Sequence, residues 1–332
     1  QKFIEYNIRD CVLVDKLDDK LKLIDQVMAL AYDAKVNFSD TMTTVRSWDT
    51  IIHNYLIKDK IVVPPIRDNK GFSSLVGGYV KDPQVGMHKW VVSFDLNSLY
   101  PHLIMQYNIS PETFVGRMDM PSIDTLVDGE WRCSDRSTTY AANGCRYMQD
   151  RQGFLAALME KMYEDRSKYK KMSIEAKKKY EETKNTEDQK LIARYHNLQL
   201  AKKIQLNSAY GALANEYFRW FNFNHAEAIT TSGQLSIRWI ERKMNEFMNS
   251  LMKTDRRDYV IASDTDSIYI NLGPVIDKLG ITDKTDAEIS KIINSFSEEK
   301  IVPYMDRSYA ELAEMMNARQ QKMQMKRETI AN

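Results

Sequence analysis

Between Tyr6 and about Ala34 apolar side chains recur at three- and four-residue spacing, among them Ile8, Cys11, Val12, Leu17, Leu21 and Ile24, which predicts a buried helix and its continuation. Residues 60–85 are rich in Pro, Gly, Asp and Ser, which marks loop and short-strand territory and a boundary. Alternation resumes at Trp90–Phe94, with Trp90, Val92 and Phe94 on one face and Val91, Ser93 and Asp95 on the other, so a strand delivers Asp95 at its end. Pro101 then stands where a helix begins, in the first turn after Ser98. Residues 130–150, with Asn143-Gly144 between two runs, read as a hairpin.

From Phe154 to Tyr180 and from Glu187 to Asn207 the chain has no Pro or Gly and is dominated by good helix formers, predicting two long helices joined near Thr183–Asn185. Ala226–Lys253 reads as another helix, Tyr259–Asn271 alternates around Asp264-Thr265-Asp266 as a β-hairpin does, and residues 286–330 return to helical spacing.

Size and composition narrow this picture. A chain of 332 residues has room for two or three packed units. No apolar run approaches the roughly 18 residues a bilayer span needs, so a membrane protein is excluded. The opening, QKFIEYNIRD, has neither Met nor the features of a signal peptide, and the chain reads as cut from something longer. Cys11, Cys133 and Cys145 form no CxxC pair and have no histidines at zinc spacing, which argues against a disulfide scaffold or zinc site and for a reduced compartment. A net charge of +1 conceals a local excess: residues 158–205 hold 13 Lys and Arg against 8 Asp and Glu, five net positive charges on the two long helices.

The first constellation with chemistry in it is the Asp264–Asp266 turn. Two carboxylates about 4 Å apart repel by about 4 kcal/mol at an effective dielectric near 20, so such a pair needs a proton or a cation. A lone turn of this kind also reads as a solvated loop, and Asp95 alone as a helix-capping acid. Together they could converge on one sheet as a hard-cation site able to clamp the attacking and leaving oxygens of an in-line displacement. On the helices, Lys203, Asn207 and Tyr210 share one face, as do Arg166 and Lys170. Such cations suit triphosphate oxygens, although any single lysine fits a solvated face as well. Gly211, after an aromatic inside a helical pattern, points to close approach by another body.

These pieces, in this order, resemble family B DNA polymerases. The motif DxxSLYPS of that family reads DLNSLYPH from Asp95, KxxxNSxYG reads KIQLNSAYG from Lys203 to Gly211, and YGDTDS reads ASDTDS through Asp264 and Asp266. Around them SFDLNSLYPHLIMQYNISPET, NSAYGALANEYFRW, AITTSGQLSIRWIERKMNEF and MKRETIAN look like the T-even-type phage members.

The resemblance implies an α+β palm with an antiparallel sheet and helices, a two-helix fingers insertion, and no thumb. The implied ranges are 1–22 as the end of a 3′–5′ exonuclease domain, 23–66 as a linker, 67–152 and 208–332 as palm, and 153–207 as fingers. Asp95 and Asp266 would bridge two Mg²⁺ ions, replaceable by Mn²⁺, with Asp264 more peripheral and the Leu96 carbonyl a further ligand. Ser98, Leu99, Tyr100, Arg166, Lys170, Lys203 and Asn207 would hold the incoming dNTP, with Tyr100 as the steric gate against a 2′-hydroxyl and Lys203 counted among the catalytic groups. Tyr210 and Gly211 would face the nascent base pair. Gly78 and Tyr79, in a GGYV segment like the one joining exonuclease and palm regions, would touch the template. Tyr6 and Asp10 resemble the third exonuclease motif, whose partners would lie upstream, so no proofreading is expected of this chain alone.

The implied partners are primer-template DNA, a companion chain supplying exonuclease and thumb, and a sliding clamp reached through a missing C-terminus, all in the cytoplasm of an infected bacterium. His102 departs from the usual Ser, Ala262-Ser263 replace Tyr-Gly, the fingers hairpin looks short, and the chain ends before the KxY motif and thumb. Two rivals stay open at this stage: a catalytically silent split-polymerase subunit, and a metal-dependent nuclease using the same acids.

Overall fold

Runs of strong helix formers become long helices here, and alternating runs become strands of antiparallel sheets, giving an α+β chain. A computed structural model describes residues 2–66 and 74–332. In chain order the elements open with α1 (Lys2–Leu21), α2 (Leu23–Ala34), α3 (Thr44–Leu56), β1 (Val80–Lys81), β2 (Val91–Leu96) and α4 (Leu99–Tyr107). Next come β3 (Phe114–Arg117), α5 (Ile123–Val127), β4 (Thr138–Tyr140), β5 (Cys145–Met148), α6 (Phe154–Thr183), α7 (Thr186–Leu213) and α8 (Phe223–Met252). The remainder holds β6 (Val260–Asp264), β7 (Ser267–Asn271), α9 (Gly273–Leu279), α10 (Asp286–Phe296), α11 (Val302–Met315) and β8 (Met325–Ala331).

The chain divides into two units, one of residues 1–69 with 160–221 and one of residues 70–159 with 222–332. The boundary expected at residue 67 lies outside the described residues.

In the first unit α7 packs on α2 and α3. Trp48, Ile52, Ala201, Leu206 and Ala209 are buried there, and the Trp48 indole N–H donates to Ser208 Oγ at 3.1 Å. Lys202, a buried lysine of α7, is held by Asp33 of α2 at 2.8 Å and by Asp165 of α6 at 3.7 Å. Arg219 grips Asp49 with a two-pronged fork, Nε to Oδ1 at 2.8 Å and Nη2 to Oδ2 at 3.1 Å. Asn185 caps α7 by accepting from the Glu187 amide at 3.0 Å.

In the second unit a five-stranded antiparallel sheet runs in the order β1-β6-β7-β2-β8, and β3-β5-β4 form a smaller sheet. The buried Val92, Phe94, Ile268 and Ile270 make the core face of the large sheet, against which α8 packs; α11 packs on α8 in turn. Trp239 of α8 donates to the Ser308 carbonyl of α11 at 2.8 Å. Asn143-Gly144 forms the expected hairpin turn, with Gly144 at φ 86°.

Two expectations need correction. The N-terminal segment is helical but breaks at Lys22, which sits at φ 54°, and α1 has no buried residue: Phe3 is 80% exposed and Val14 65%. Periodicity signals an amphipathic face, and burial needs a second surface to meet it. The helical reading of 286–330 holds for α10 and α11 and fails for 325–331, which is strand β8 paired with β2. Its Lys, Arg and Glu favour helix in isolation, but backbone pairing with β2 and burial of Met325 prevail.

Candidate active site

The sheet brings the predicted acids together by register. Ser267 on β7 is the cross-strand partner of Asp264 on β6 and of Asp95 on β2, so the three stand in a row across adjacent strands. Cross-strand partners share a face, and two strand spacings separate the outer pair by about 10 Å at Cα. Asp266 lies in the turn between them. Its carbonyl accepts from the Leu96 amide at 2.7 Å, which ties the turn to the end of β2, and its own amide donates to the Asp264 carbonyl at 2.5 Å. Thr265 makes the turn tight by adopting φ 47°, and its hydroxyl donates to Asp264 Oδ1 at 2.9 Å.

Electrostatically this corner is loaded with negative charge. Burial, then the charges of Asp266 and Glu328, push the Asp95 carboxyl up to about 7. Asp266 is raised as well, chiefly by burial with Asp264 and Glu328 adding to it, while its own backbone amide pulls the other way. Glu328, on β8, acts on both acids and was missed from sequence, because the helical reading of 286–330 hid that this segment is a strand beside β2. The donors are all oxygen, which suits a hard divalent cation and argues against a soft or zinc-type site. Among the described residues no group of three His, Cys, Asp or Glu side chains already stands at metal-holding distance.

Beside the acids, α4 begins at Ser98, which sits at φ 50°, and brings Leu99 and Tyr100 against α8. A Cβ at Gly233 would lie in ordinary contact, 3.4 Å from Tyr100 Cε1 and 3.5 Å from Leu99 Cδ2, so the two helices meet at this position. Leu99 is buried and Tyr100 is half-buried. His102 is buried and its Nδ1 pairs with the Ser98 carbonyl at 2.9 Å, so this departure from the family pattern serves the start of α4. Ser263 is buried on β6, and Ala262 beside it is half-buried.

Behind the turn runs the Gly77-Gly78-Tyr79 segment. Gly77 accepts at its carbonyl from Gln234 of α8 at 2.6 Å, the Arg238 guanidinium stacks on the Tyr79 ring at 5.3 Å, and the Tyr79 carbonyl accepts from the Thr265 amide at 2.9 Å.

The helical cations belong to the first unit. Lys170, Lys203 and Asn207 are exposed, Arg166 and Tyr210 are half-buried, and burial lowers the Arg166 pKa. Lys203 is presented outward while its neighbour Lys202 is spent on Asp33 and Asp165. A Cβ at Gly211 would meet nothing within 4 Å, so no neighbour in the described chain demands a glycine there. Tyr6 and Asp10 lie four apart on α1, both exposed.

With this geometry in view, comparison with known proteins is decisive. A sequence profile of DNA polymerase family B matches residues 39–311. The chain belongs to that family. It is 31% identical over 373 aligned positions to the DNA-directed DNA polymerase of Escherichia phage RB69 and 32% identical over 373 positions to that of Enterobacteria phage T4, each alignment covering all of this chain. The chain spans 41% of the length of these phage relatives. A more distant family B member, DNA polymerase 1 of Pyrococcus abyssi, is 30% identical over 199 positions, covering 60% of this chain and 21% of the archaeal protein.

Proposed function

We propose that this chain carries the nucleotidyl-transfer centre of a template-directed, T-even-type phage DNA polymerase, its second unit acting as palm and its α6–α7 hairpin as fingers. The observation that carries the reading is the convergence of Asp95 with the Asp264–Asp266 turn at one corner of an antiparallel sheet, where the charges acting on Asp95 are themselves negative. Carboxylates arranged this way are suited to a cation and poorly suited to isolation.

Asp95 and Asp266 would hold the divalent cations, Mg²⁺ in our reading, with Asp264 and the Leu96 carbonyl at their edge. When bound, such a pair supplies activation of the primer 3′-hydroxyl and neutralisation of the leaving pyrophosphate. The chain's own residues do the positioning. Tyr100, held against Gly233, would lie beneath the deoxyribose and exclude a 2′-hydroxyl, with the main chain of Ser98 and Leu99 against the triphosphate. Arg166, Lys170, Lys203 and Asn207 would receive the triphosphate oxygens, and Tyr210 and Gly211 the nascent base pair. The open space at Gly211 suits a face meant for something outside the chain. Gly78 and Tyr79 would lie on the template side.

Primer extension tests this, using labelled primer-template, dNTPs and Mg²⁺, with the chain alone and supplemented by a thumb-bearing polymerase segment. Longer primers with pyrophosphate release, lost in Asp95→Ala and Asp266→Ala while DNA binding persists, are the expected result. Shortened primers would replace the proposal with a nuclease, and synthesis that survives both substitutions would remove these acids from the chemistry.

A further inference from the structure

The segment Gly77–Lys81 is tied down along one face of α8. Gln234, Arg238 and Glu241 are spaced four and three apart and so share that face. Gln234 holds the Gly77 carbonyl at 2.6 Å, Arg238 lies on the Tyr79 ring, and Glu241 receives Lys81 at 2.6 Å. Lys81 also reaches Asp258 at 2.7 Å, just before β6. From this base β1 pairs with the end of β6, Val80 opposite Asp264 and Lys81 opposite Ser263. The Tyr79 carbonyl fixes the Thr265 amide.

The fit at the turn is tight. A Cβ on Gly78 would fall 2.8 Å from Thr265 Oγ1, 2.9 Å from its Cγ2 and 3.3 Å from its Cβ. Thr265 has little room to yield, since it is β-branched and already at φ 47°, where a side chain is disfavoured. Rotating it clear of a new methyl group would also break the hydroxyl's bond to Asp264 Oδ1.

We propose that Gly78 and Tyr79 are positioning residues for the carboxylates: they form a strap, anchored on α8, that holds Thr265 in its left-handed turn and thereby sets Asp264 and Asp266 beside Asp95. This role is separate from any contact with template, and it rests on the reading of these acids as cation ligands. A side chain at position 78 therefore displaces the acids without touching DNA, and removing the Thr265 side chain cancels the effect, because glycine adopts a positive φ freely.

The test uses the full chain and Mn²⁺ as probe, without DNA. Mn²⁺ binding is followed by electron paramagnetic resonance and exchange of the Thr265 amide by NMR, in wild type, Gly78→Ala, Thr265→Gly and the double variant, with Asp266→Ala as reference. Gly78→Ala is expected to weaken Mn²⁺ binding on the order of tenfold, the scale of a lost supporting contact around a metal, and to speed exchange at Thr265. In the Thr265→Gly background the same substitution should cost nothing in Mn²⁺ affinity. Should Gly78→Ala not fold, Gln234→Ala cuts the strap's anchor instead and is read the same way.

Unchanged Mn²⁺ affinity and unchanged Thr265 exchange in Gly78→Ala overturn the strap, as does an equal loss of Mn²⁺ affinity in both backgrounds. If Asp266→Ala binds Mn²⁺ like wild type, the metal reading of the acids falls, and Thr265 exchange then decides the strap by itself.

Discussion

Asp95→Asn in the metal-free chain separates a functional carboxylate from a structural one. The Asp95 carboxyl is pushed from an ordinary 3.8 up to about 7 by burial, Asp266 and Glu328, so the folded state holds the proton more tightly than the unfolded chain does. Its contribution to stability is greatest below about pH 4, declines as the pH rises, and is fully lost above about pH 7. At about 1.4 kcal/mol per pH unit the full gap sets a ceiling near 4 kcal/mol, and the carboxyl's residual contact with solvent screens that to about 1–2 kcal/mol. Asn cannot ionise, so the variant should match wild type near pH 4, gain steadily to pH 7 and stay level above it. For a folded unit of this size the gain amounts to a rise in Tm of about 3–6 °C. The assay is thermal unfolding in EDTA from pH 4 to 8, followed by Mn²⁺ addition, which should stabilise wild type and leave Asp95→Asn unmoved. A wild-type-minus-variant difference independent of pH, or equal stabilisation of both by Mn²⁺, would refute the reasoning. Glu328→Gln should show a weaker version of the same pH-dependent gain, since it removes one of the two charges acting on Asp95.

Three further outcomes follow from packing and steric fit. Tyr100→Ala should raise ribonucleotide incorporation relative to deoxyribonucleotide in primer extension by at least tenfold, and unchanged sugar selection would remove the gate. Lys202→Ala leaves Asp33 and Asp165 facing each other without their cation in a partly buried place; a loss of about 2–3 kcal/mol in denaturant unfolding is expected, while Lys203→Ala, exposed one residue on, should leave stability within about 0.5 kcal/mol. Gly144→Ala forces a side chain into φ 86° and onto the Met118 carbonyl oxygen, so a loss of about 3 kcal/mol or more, read as a lowered unfolding midpoint or insoluble expression, is the outcome.

Local signals were legible wherever the chain itself enforces them. The period-two run before Asp95, the Asn143-Gly144 turn, the Pro- and Gly-free stretches of α6 and α7 and the hairpin around Thr265 all formed where the pattern put them. Partnership was not legible. Nothing in α1 distinguishes an apolar face that is covered from one that is bare, and Met325–Ala331 carries helix-favouring Lys, Arg and Glu yet is drawn into the sheet by the open edge of β2. That error concealed Glu328, whose charge reaches Asp95 and Asp266 only once β8 lies beside β2. Gly211 was read as a place of close approach by another body, and no neighbour in the described chain takes the space a Cβ would fill there.

The glycine at 78 shows why a motif in sequence underdetermines a site. It is needed because the Thr265 side chain occupies the space a Cβ would take, and Thr265 stands between two of the carboxylates in the chain. The acids themselves sit on strand ends and a turn, the least rigid parts of a sheet, where a repelling pair tends to drift apart. Holding them therefore falls to elements that carry no charge toward them, namely the α8 face beneath the Gly77–Lys81 segment and the Leu96 amide on the Asp266 carbonyl. Substitutions in that support should lower cation affinity while leaving the acids intact, whereas substitutions of the acids should abolish binding and stabilise the empty fold at neutral pH. The gain in stability on removing a buried acid follows directly from repulsion among ligands in the absence of their ion.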